Sequence, residues 1–494
     1  MTFSYLFENN IKLVLPEIFL ACSIISILMF GCFTGFTKFY KYPIISLNTG
    51  YLLVLVLFFT SFLIVNNSLI FGTAFNGCFV VDWLAIISKV TVLISSIACL
   101  LISMDYINSY KINSFEYFIV VALSVFGQLI LISSCDFVMA YIALEIQSFC
   151  FYLMASFKRD SAHSTEAGLK YFLLGSFSST LLLFGLSLIY GGFGTTNFSN
   201  LSILLFEISD FSTLSYLGFT MVFVGLLFKL SAAPFHIWSP DVYEGSPFIS
   251  TVFFAVVPKI SVLVLLLRVF VILNETSEIW CFIFLFCSIF SVIIGAFVTL
   301  KQKRLKKLLA YSGINHIGYI LLGLSFFTVD SISSVFLYML VYMITGVCTW
   351  GVISMLNRVD TVSSTPTVGS LTGLVKINPL LAFIFSFCLF SLAGIPPLLG
   401  FYAKFGIFQV ALNSGFVIIG SFIILTSVVS TFYYIRLIKS IYFENTSINW
   451  IFYKPISAHH AVVVCFSFFV VVLAFYNPLL LGLLSQKMAL TLLF

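Results

Sequence analysis

Apolar stretches recur along nearly the whole chain at about 17 to 25 residues each, the length a helix needs to cross the roughly 30 Å hydrocarbon core of a bilayer. The pattern predicts about fourteen spans, at 14–33, 44–66, 82–104, 116–133, 136–157, 169–191, 214–238, 249–273, 279–300, 308–327, 331–357, 378–411, 416–440 and 460–481. The fold class is therefore an all-α integral membrane protein.

Two spans are irregular in the same way. The seventh contains Lys229-Leu-Ser-Ala-Ala-Pro234, and the twelfth, too long for one straight crossing, contains Gly394-Ile-Pro-Pro397. Proline removes a helix hydrogen bond, and broken helices at membrane depth persist where protein or a polar cavity surrounds them. A lone transmembrane proline also serves simply as a packing kink. A lysine beside both breaks favours ion sites.

Lysines and arginines fall in alternate loops. The odd-numbered loops hold Lys38 and Lys41, Lys111, Lys158 and Arg159, the cluster Lys301, Lys303, Arg304, Lys306 and Lys307, then Arg358 and Lys376, and finally Lys454. The even-numbered loops hold acids such as Glu207, Asp210, Glu275, Glu278 and Asp330 and no base. By the excess of positive charge inside, both termini lie outside. One missed helix would invert every later loop, so the alternation supports the count as well as the orientation. The inside loop 239–248, with Asp241 and Glu244 and no base, is a local exception.

An offset of 175 residues superposes Lys229 on Lys404 and Lys259 on Tyr434, and brings Glu145 within one helical turn of His316. Spans 4–8 and 9–13 then form two five-helix repeats, and an odd number of helices requires the second to be inverted relative to the first. The proline positions do not share the offset. The expected organisation is 1–115 for spans 1–3, 116–273 for the first repeat, 274–440 for the second and 441–494 for the fourteenth helix.

Composition sharpens this picture. With 61% hydrophobic and 8% charged residues among 494, a water-soluble domain, which carries about 25% charged residues, is excluded. The net charge of +5 is too dispersed for a nucleic-acid surface. Eleven cysteines lie far apart, mostly in apolar runs, without metal or cluster spacing, and read as buried hydrophobes. The segment Met1–Lys12 contains Glu8 and no arginine, so it matches neither a secretory signal nor a transit peptide; insertion from the inside is expected.

The candidate chemistry lies in the few ionisable residues of the spans. A charge at the bilayer centre costs at least about 2.5–3.5 kcal/mol, so such residues are rare, paired and usually functional. Glu145 sits near the middle of span five and Lys259 near the middle of span eight, while Lys229 precedes the break in span seven and Lys404 follows that in span twelve. Burial disfavours a lysine's charge and a nearby carboxylate restores it. A carboxylate that pairs with Lys229 and then withdraws would drive proton release along Lys259, Lys229 and Lys404. His316, among the hydroxyls of Tyr311, Ser312 and Tyr319, is a candidate relay or a packing histidine, and Tyr434 is a further candidate.

Other positions carry weaker signals. Lys89 admits both a structural ion pair and a pathway role. Glu17 and Asp136 stand at helix starts and read as caps. Arg268 reads as snorkelling and His236 as interfacial beside a belt-forming Trp238. Gly191-Gly-Phe-Gly194 reads as a helix exit. No phosphate-binding or dinucleotide motif occurs, so energy must come from partner subunits or an ion gradient.

Several segments resemble one family. Glu145-Ile-Gln-Ser-Phe-Cys-Phe-Tyr-Leu-Met-Ala-Ser, Ser164-Thr-Glu-Ala-Gly-Leu-Lys170, Phe228-Lys-Leu-Ser-Ala-Ala-Pro-Phe-His-Ile-Trp238, Tyr243-Glu-Gly-Ser-Pro247, Pro258-Lys-Ile-Ser261, Lys307-Leu-Leu-Ala-Tyr-Ser312 and Ala393-Gly-Ile-Pro-Pro-Leu-Leu-Gly-Phe-Tyr-Ala-Lys404 are similar to the antiporter-like chain 2 of mitochondrial NADH:ubiquinone oxidoreductase and its bacterial counterpart, chain N.

The resemblance implies a proton-translocating membrane-arm subunit of respiratory complex I, driven by quinone reduction elsewhere and moving protons from matrix to intermembrane space. It implies that Glu145, Lys229, Lys259 and Lys404 form the family's hydrophilic axis. Flavin, iron–sulfur clusters and ubiquinone would belong to partner subunits, with no cofactor in this chain. The implied surroundings are other antiporter-like subunits and the lipids of the mitochondrial inner membrane, cardiolipin included; a bacterial plasma membrane is the alternative. The rival functions are a stand-alone sodium/proton antiporter and a non-transporting helix bundle.

Overall fold

The computed structural model describes residues 10–34, 46–67, 71–109, 115–207, 213–273, 277–355, 367–444, 458–476 and 478–493. Lys38, Lys41, Lys111, Asp210, Glu275, Arg358 and Lys454, used above to argue orientation, and Glu8 of the N-terminal segment lie outside the described residues.

The first part of the chain forms α1 (Leu15–Thr34), α2 (Ser46–Asn66), a hairpin of β1 (Gly72–Ala74) and β2 (Phe79–Val81), then α3 (Trp83–Ser109), α4 (Phe115–Ser133), α5 (Phe137–Ala155) and α6 (Ala162–Phe193). The exit of α6 is as read from its glycines: Gly194, at φ +70°, sends its N–H to the Tyr190 carbonyl at 2.8 Å. There follow α7 (Phe198–Glu207), α8 (Thr213–Leu230), α9 (Trp238–Gly245), α10 (Phe248–Val256), α11 (Pro258–Ile272), α12 (Ser277–Lys301), α13 (Leu305–Leu324) and α14 (Val329–Met355). The remainder comprises the short α15 (Leu374–Ile377), α16 (Pro379–Ala393), α17 (Leu399–Asn413), α18 (Val417–Tyr442), α19 (Ala458–Tyr476) and α20 (Pro478–Leu493).

Among the described residues, eleven helices are long and apolar enough to cross a membrane, with α10 and α11 counted as one. The other three expected spans coincide with α13, whose Asn315, His316 and hydroxyls dilute its hydropathy, with the pair α16 and α17, each 15 residues, and with α19.

Several expectations are corrected. The seventh span ends at Leu230 rather than 238, and residues 231–237 turn through Ser231 at φ +61°, a strained geometry outside glycine. The expected inside loop 239–248 is largely the helix α9. The eighth span is also broken, at Val257, because Pro258 cannot supply the N–H that would continue α10 and instead begins α11. The hairpin, α7 and α20 were not expected from periodicity; they are too short or too uniformly apolar to stand out against neighbouring spans.

The twelfth span breaks where its sequence indicated. Helix α16 ends at Ala393, and Gly394, at φ +83°, sends its N–H to the carbonyls of Phe390 and Ser391. Lys229 therefore precedes its break, whereas Lys404 lies inside the helix that follows its own, which explains why the lysines and the prolines obey different offsets.

Lipid tails are as apolar as leucine, so packing and small residues, not water exclusion, hold such helices together. Helices α6 and α8 cross at Gly185 and Gly218, where a Cβ on Gly185 would stand 2.6 Å from the Gly218 carbonyl oxygen. Many serine and threonine hydroxyls within the spans turn back onto their own helices, as Thr345 does to the Val341 carbonyl at 2.8 Å, which satisfies their donors. Helix α14 packs against α3, α10, α13, α16, α17, α19 and α20 and is the most enclosed of the helices long and apolar enough to cross a membrane.

Candidate functional site

The two breaks and α14 determine where the ionisable groups stand. Because α8 stops at Leu230, Lys229 lies in its last turn, with its ammonium shielded 5.9 Å from the centre of the Tyr152 ring and without a hydrogen-bond partner among the described residues. It borders a small cavity of about 20 Å³, shared with Gln147 and Ser148 of α5, Tyr171 of α6 and Lys259 of α11. A space of about 10–15 Å³ for water centres holds one water molecule, so the two lysines share a water-sized polar pocket.

No ion pair joins Glu145 to Lys229, contrary to the simplest form of the pairing expected from sequence. The carboxylate lies beyond 4 Å, within Coulombic range, and its buried Oε1 has no hydrogen-bond partner among the described residues. Gln147 and Ser148, two and three residues on, face the pocket instead.

Lys259 is 5% exposed at the start of α11. Its ammonium donates to the Tyr342 hydroxyl at 2.7 Å and stands 4.5 Å from the centre of that ring. Gly313 makes room for both groups: a Cβ there would lie 3.1 Å from the Lys259 Nζ and 3.1 Å from the Tyr342 hydroxyl. Tyr342 in turn packs its ring 5.3 Å from the imidazole of His316.

His316 is 3% exposed, and both of its ring nitrogens are engaged, Nδ1 with the Tyr338 hydroxyl at 2.8 Å and Nε2 with the Tyr434 hydroxyl at 3.0 Å. A neutral imidazole offers one donor and one acceptor, so a proton can leave on one side and arrive on the other. Tyr434, singled out by the repeat offset as the counterpart of Lys259, is thus a direct partner of the histidine. Tyr338 and Tyr342 were missed; the available signal was their four-residue spacing on α14, which 23 tyrosines in the chain made unspecific.

Lys404 borders a second small cavity, about 10 Å³, together with His316, Tyr338 and Tyr342. Its ammonium donates to the Ala393 carbonyl at 2.7 Å. That carbonyl is one of those left without an intrahelical partner when α16 stops, so the break itself supplies the polar anchor for the lysine. The ring of Tyr319 lies 5.6 Å from the same nitrogen. Across this sector Lys229, Lys259, Tyr342, His316 and Lys404 form a series in which Lys259, His316 and Lys404 are buried and Lys229 and Tyr342 half-buried, bordered by Tyr338 and Tyr434, with Glu145 at the end nearest Lys229.

The weaker candidates separate from this series. Lys89 forms a buried ion pair with Glu17 at 2.6 Å, so Glu17 does more than stand at a helix start. Arg268 does not snorkel: it donates to both carboxylate oxygens of Asp82 at 2.9 Å and to the Ile132 carbonyl at 3.2 Å. Asp136 caps α5 as read, accepting from the Val138 N–H at 2.7 Å. Trp238 belongs to no interfacial belt, since it stacks on Tyr171 at 4.6 Å and donates to the Phe228 carbonyl at 2.8 Å from a buried position. His236 remains half-buried beside it.

The acidic exception among the inside loops also resolves. Glu244 pairs with Arg304 and with Lys307, the latter at 2.8 Å, and Asp241 pairs with Lys170 and Lys307. The two acids thus face Arg304 and Lys307 of the basic cluster that follows α12. Among the described residues no group of three His, Cys, Asp or Glu is placed to hold a metal ion.

Buried titratable groups strung between broken membrane helices define an antiporter-like membrane protein. A family model described as NADH:quinone oxidoreductase/Mrp antiporter, transmembrane, matches residues 134–432, from the start of α5 to α18. Over 493 residues the chain is 39% identical to NADH-ubiquinone oxidoreductase chain 2 of Marchantia polymorpha, covering 99% of this chain and 100% of that protein. It is 39% identical over 471 residues to NADH-quinone oxidoreductase subunit N of Paramagnetospirillum magneticum, covering 94% and 93% of the two. A chain in the structure of respiratory complex I from Thermus thermophilus with bound aureothin superposes with a TM-score of 0.79 at 26% identity, covering 95% of this chain and 99% of that one. The chain belongs to the NADH:quinone oxidoreductase/Mrp antiporter family, on the branch of oxidoreductase chain 2 and subunit N.

Proposed function

We propose that this chain translocates protons as a membrane-arm subunit of respiratory NADH:ubiquinone oxidoreductase, with Glu145, Lys229, Lys259, His316 and Lys404 as its proton-handling groups and Tyr434 as a partner of the relay. The observation that carries the reading is the contact series from Lys259 through Tyr342 to His316 and the Lys404 cavity. It connects the pocket beside the first broken helix with that beside the second.

The physical basis is mutual repulsion. Lys229 and Lys259 border one water-sized pocket, and two like charges in a low-dielectric interior repel strongly, so a proton arriving on one raises the cost of a proton on the other. Glu145 adjusts that balance by its distance from Lys229. A displaced proton has Tyr342 and His316 as its next acceptors by way of hydroxyl, imidazole and water, and Lys404 beyond them.

The wider reading is that fourteen spans are organised as two inverted five-helix repeats, 116–273 and 274–440, preceded by 1–115 and followed by 441–494. The breaks of the seventh and twelfth spans, each beside a lysine, support it. The absence of cysteine sets at cluster spacing in the sequence supports placing flavin, iron–sulfur and quinone chemistry on partner subunits. The membrane is the mitochondrial inner membrane, where cardiolipin and the other antiporter-like subunits surround the chain; its similarity to a plant chain 2 over almost its whole length supports this.

Replacing Lys259 by Ala in the assembled enzyme should lower the proton-to-electron ratio while NADH oxidation in uncoupled membranes continues. An unchanged ratio in an intact complex would overturn the assignment.

A further inference from the structure

The basic residues of the inner face divide into two groups. Beside α9 three cations meet acids: Lys170 pairs with Glu166 and Asp241, Arg304 with Glu244, and Lys307 with both Asp241 and Glu244. At the inner ends of α12 and α18, which pack together, the cations meet none. Lys301 closes α12, and Arg436 and Lys439 lie in the last two turns of α18. All three are exposed, and among the described residues no acid pairs with any of them.

Each of these cations heads an apolar stripe. On α12 the exposed Phe282, Phe286, Phe290 and Phe297 share one helix face with Lys301, and on α18 Leu425, Val428 and Phe432 share one with Arg436. Phe297 and Phe432 stand one turn below Lys301 and Arg436. The two heads are tied together, because the Arg436 guanidinium donates from Nη1 to the Leu300 carbonyl at 3.0 Å.

That carbonyl is one of the last four of α12, which have no intrahelical partner, so the bond fixes the guanidinium and leaves most of its five N–H donors free. A planar fork of this kind suits the oxygens of a phosphate. The charge balance indicates how many phosphates. Each helix C-terminus carries about half a negative charge, so two of them offset about one of the three positive charges and leave about two.

We propose that Lys301, Arg436 and Lys439 hold the headgroup of an anionic phospholipid with two phosphates, its acyl chains lying along Phe297, Val428 and Phe432. Basic groups between membrane helices on the inner side attract such headgroups, and the exposed stripes offer the chains a continuous apolar bed. The inference rests on the membrane placement above, which must contain a lipid of this class, and not on the proton-handling residues.

The test treats the assembled oxidoreductase in its membrane with a photoactivatable diphosphatidylglycerol and, separately, with a phosphatidylcholine probe bearing the same chains. Adducts of the first should map to the inner ends of α12 and α18, and those of the second should not concentrate there. Lys301→Gln with Lys439→Gln removes two charges and keeps the bond from Arg436 to Leu300. Each basic residue near a membrane surface is worth about fivefold in binding an anionic lipid, so this variant should need about thirtyfold more probe for half-maximal labelling. Lys301→Arg with Lys439→Arg, which keeps the charge, should label as the unsubstituted enzyme does. Equal labelling by the choline probe, unchanged labelling of the Gln variant or an equal loss in the Arg variant overturns the site. So does an assembled enzyme with no adducts on these helices, the result expected where a partner subunit covers them. Lipid capture is read without pumping, so normal pumping by Lys259→Ala would refute the proton-handling reading and leave this site standing. Failure of capture with a lowered ratio in Lys259→Ala refutes the site alone.

Discussion

Lys259 and Tyr342 lie 83 residues apart and meet through a 2.7 Å hydrogen bond, with the ammonium also 4.5 Å from the centre of the tyrosine ring. The hydroxyl and the ring do different things here. The ring shields and attracts the cation and packs on toward His316, while the hydroxyl accepts the ammonium's hydrogen bond.

Tyr342→Phe separates these roles, because it keeps the ring and removes only the hydroxyl. A hydrogen bond to a charged group is worth about 1.5–3 kcal/mol, about ten- to a hundredfold in the occupancy of the coupled geometry. The assembled enzyme should retain its redox centres and pump with a reduced proton-to-electron ratio. A ratio equal to that of the unsubstituted enzyme would show that the hydroxyl is not used.

Glu145 makes no ion pair with Lys229, and its buried Oε1 makes no hydrogen bond among the described residues. Replacing it by Gln therefore removes charge with little loss of packing. Thermal stability of the complex should change by less than about 1 kcal/mol, while coupling between electron transfer and pumping should fall. A large stability loss with intact coupling would make Glu145 a structural residue.

The Glu17–Lys89 pair has the opposite character. Removing one member of a buried pair costs about 3–5 kcal/mol because an uncompensated charge is left behind, whereas replacing both by apolar residues is often neutral. Lys89→Met alone should lower the melting temperature of the purified complex, and the double change Glu17→Leu with Lys89→Met should restore it. Proton pumping by the double variant should be normal; a pumping defect with restored stability would place Lys89 on the pathway.

The break in the twelfth span depends on a close approach. A Cβ on Gly400 would lie 1.6 Å from the backbone oxygen of Ser391, while one on Gly191 would meet nothing within 4 Å. Gly400→Ala should force α16 and α17 apart, weaken the anchoring of Lys404 on Ala393 and reduce both assembly and pumping. Gly191→Ala should be silent in both assays. Equal behaviour of the two variants would show that the tight packing at the break is dispensable.

Much of this molecule is determined within single segments. The length and hydropathy of each stretch settle where it stops being soluble, and proline and glycine mark the break of the twelfth span, because those effects act within a few residues. The energetic cost of a charge at bilayer depth is likewise local, so Glu145, Lys229, Lys259 and Lys404 stand out before any fold is known. Partner choice is not local. That Lys259 meets Tyr342, that Arg268 meets Asp82 rather than snorkelling, and that Glu145 stops short of Lys229 all depend on how helices distant in sequence pack. The identity of either residue alone carries no information about that packing. Among 23 tyrosines, only tertiary structure selects Tyr338, Tyr342 and Tyr434 to surround the histidine, because the spacing that sets their helix face does not specify which helix that face will meet.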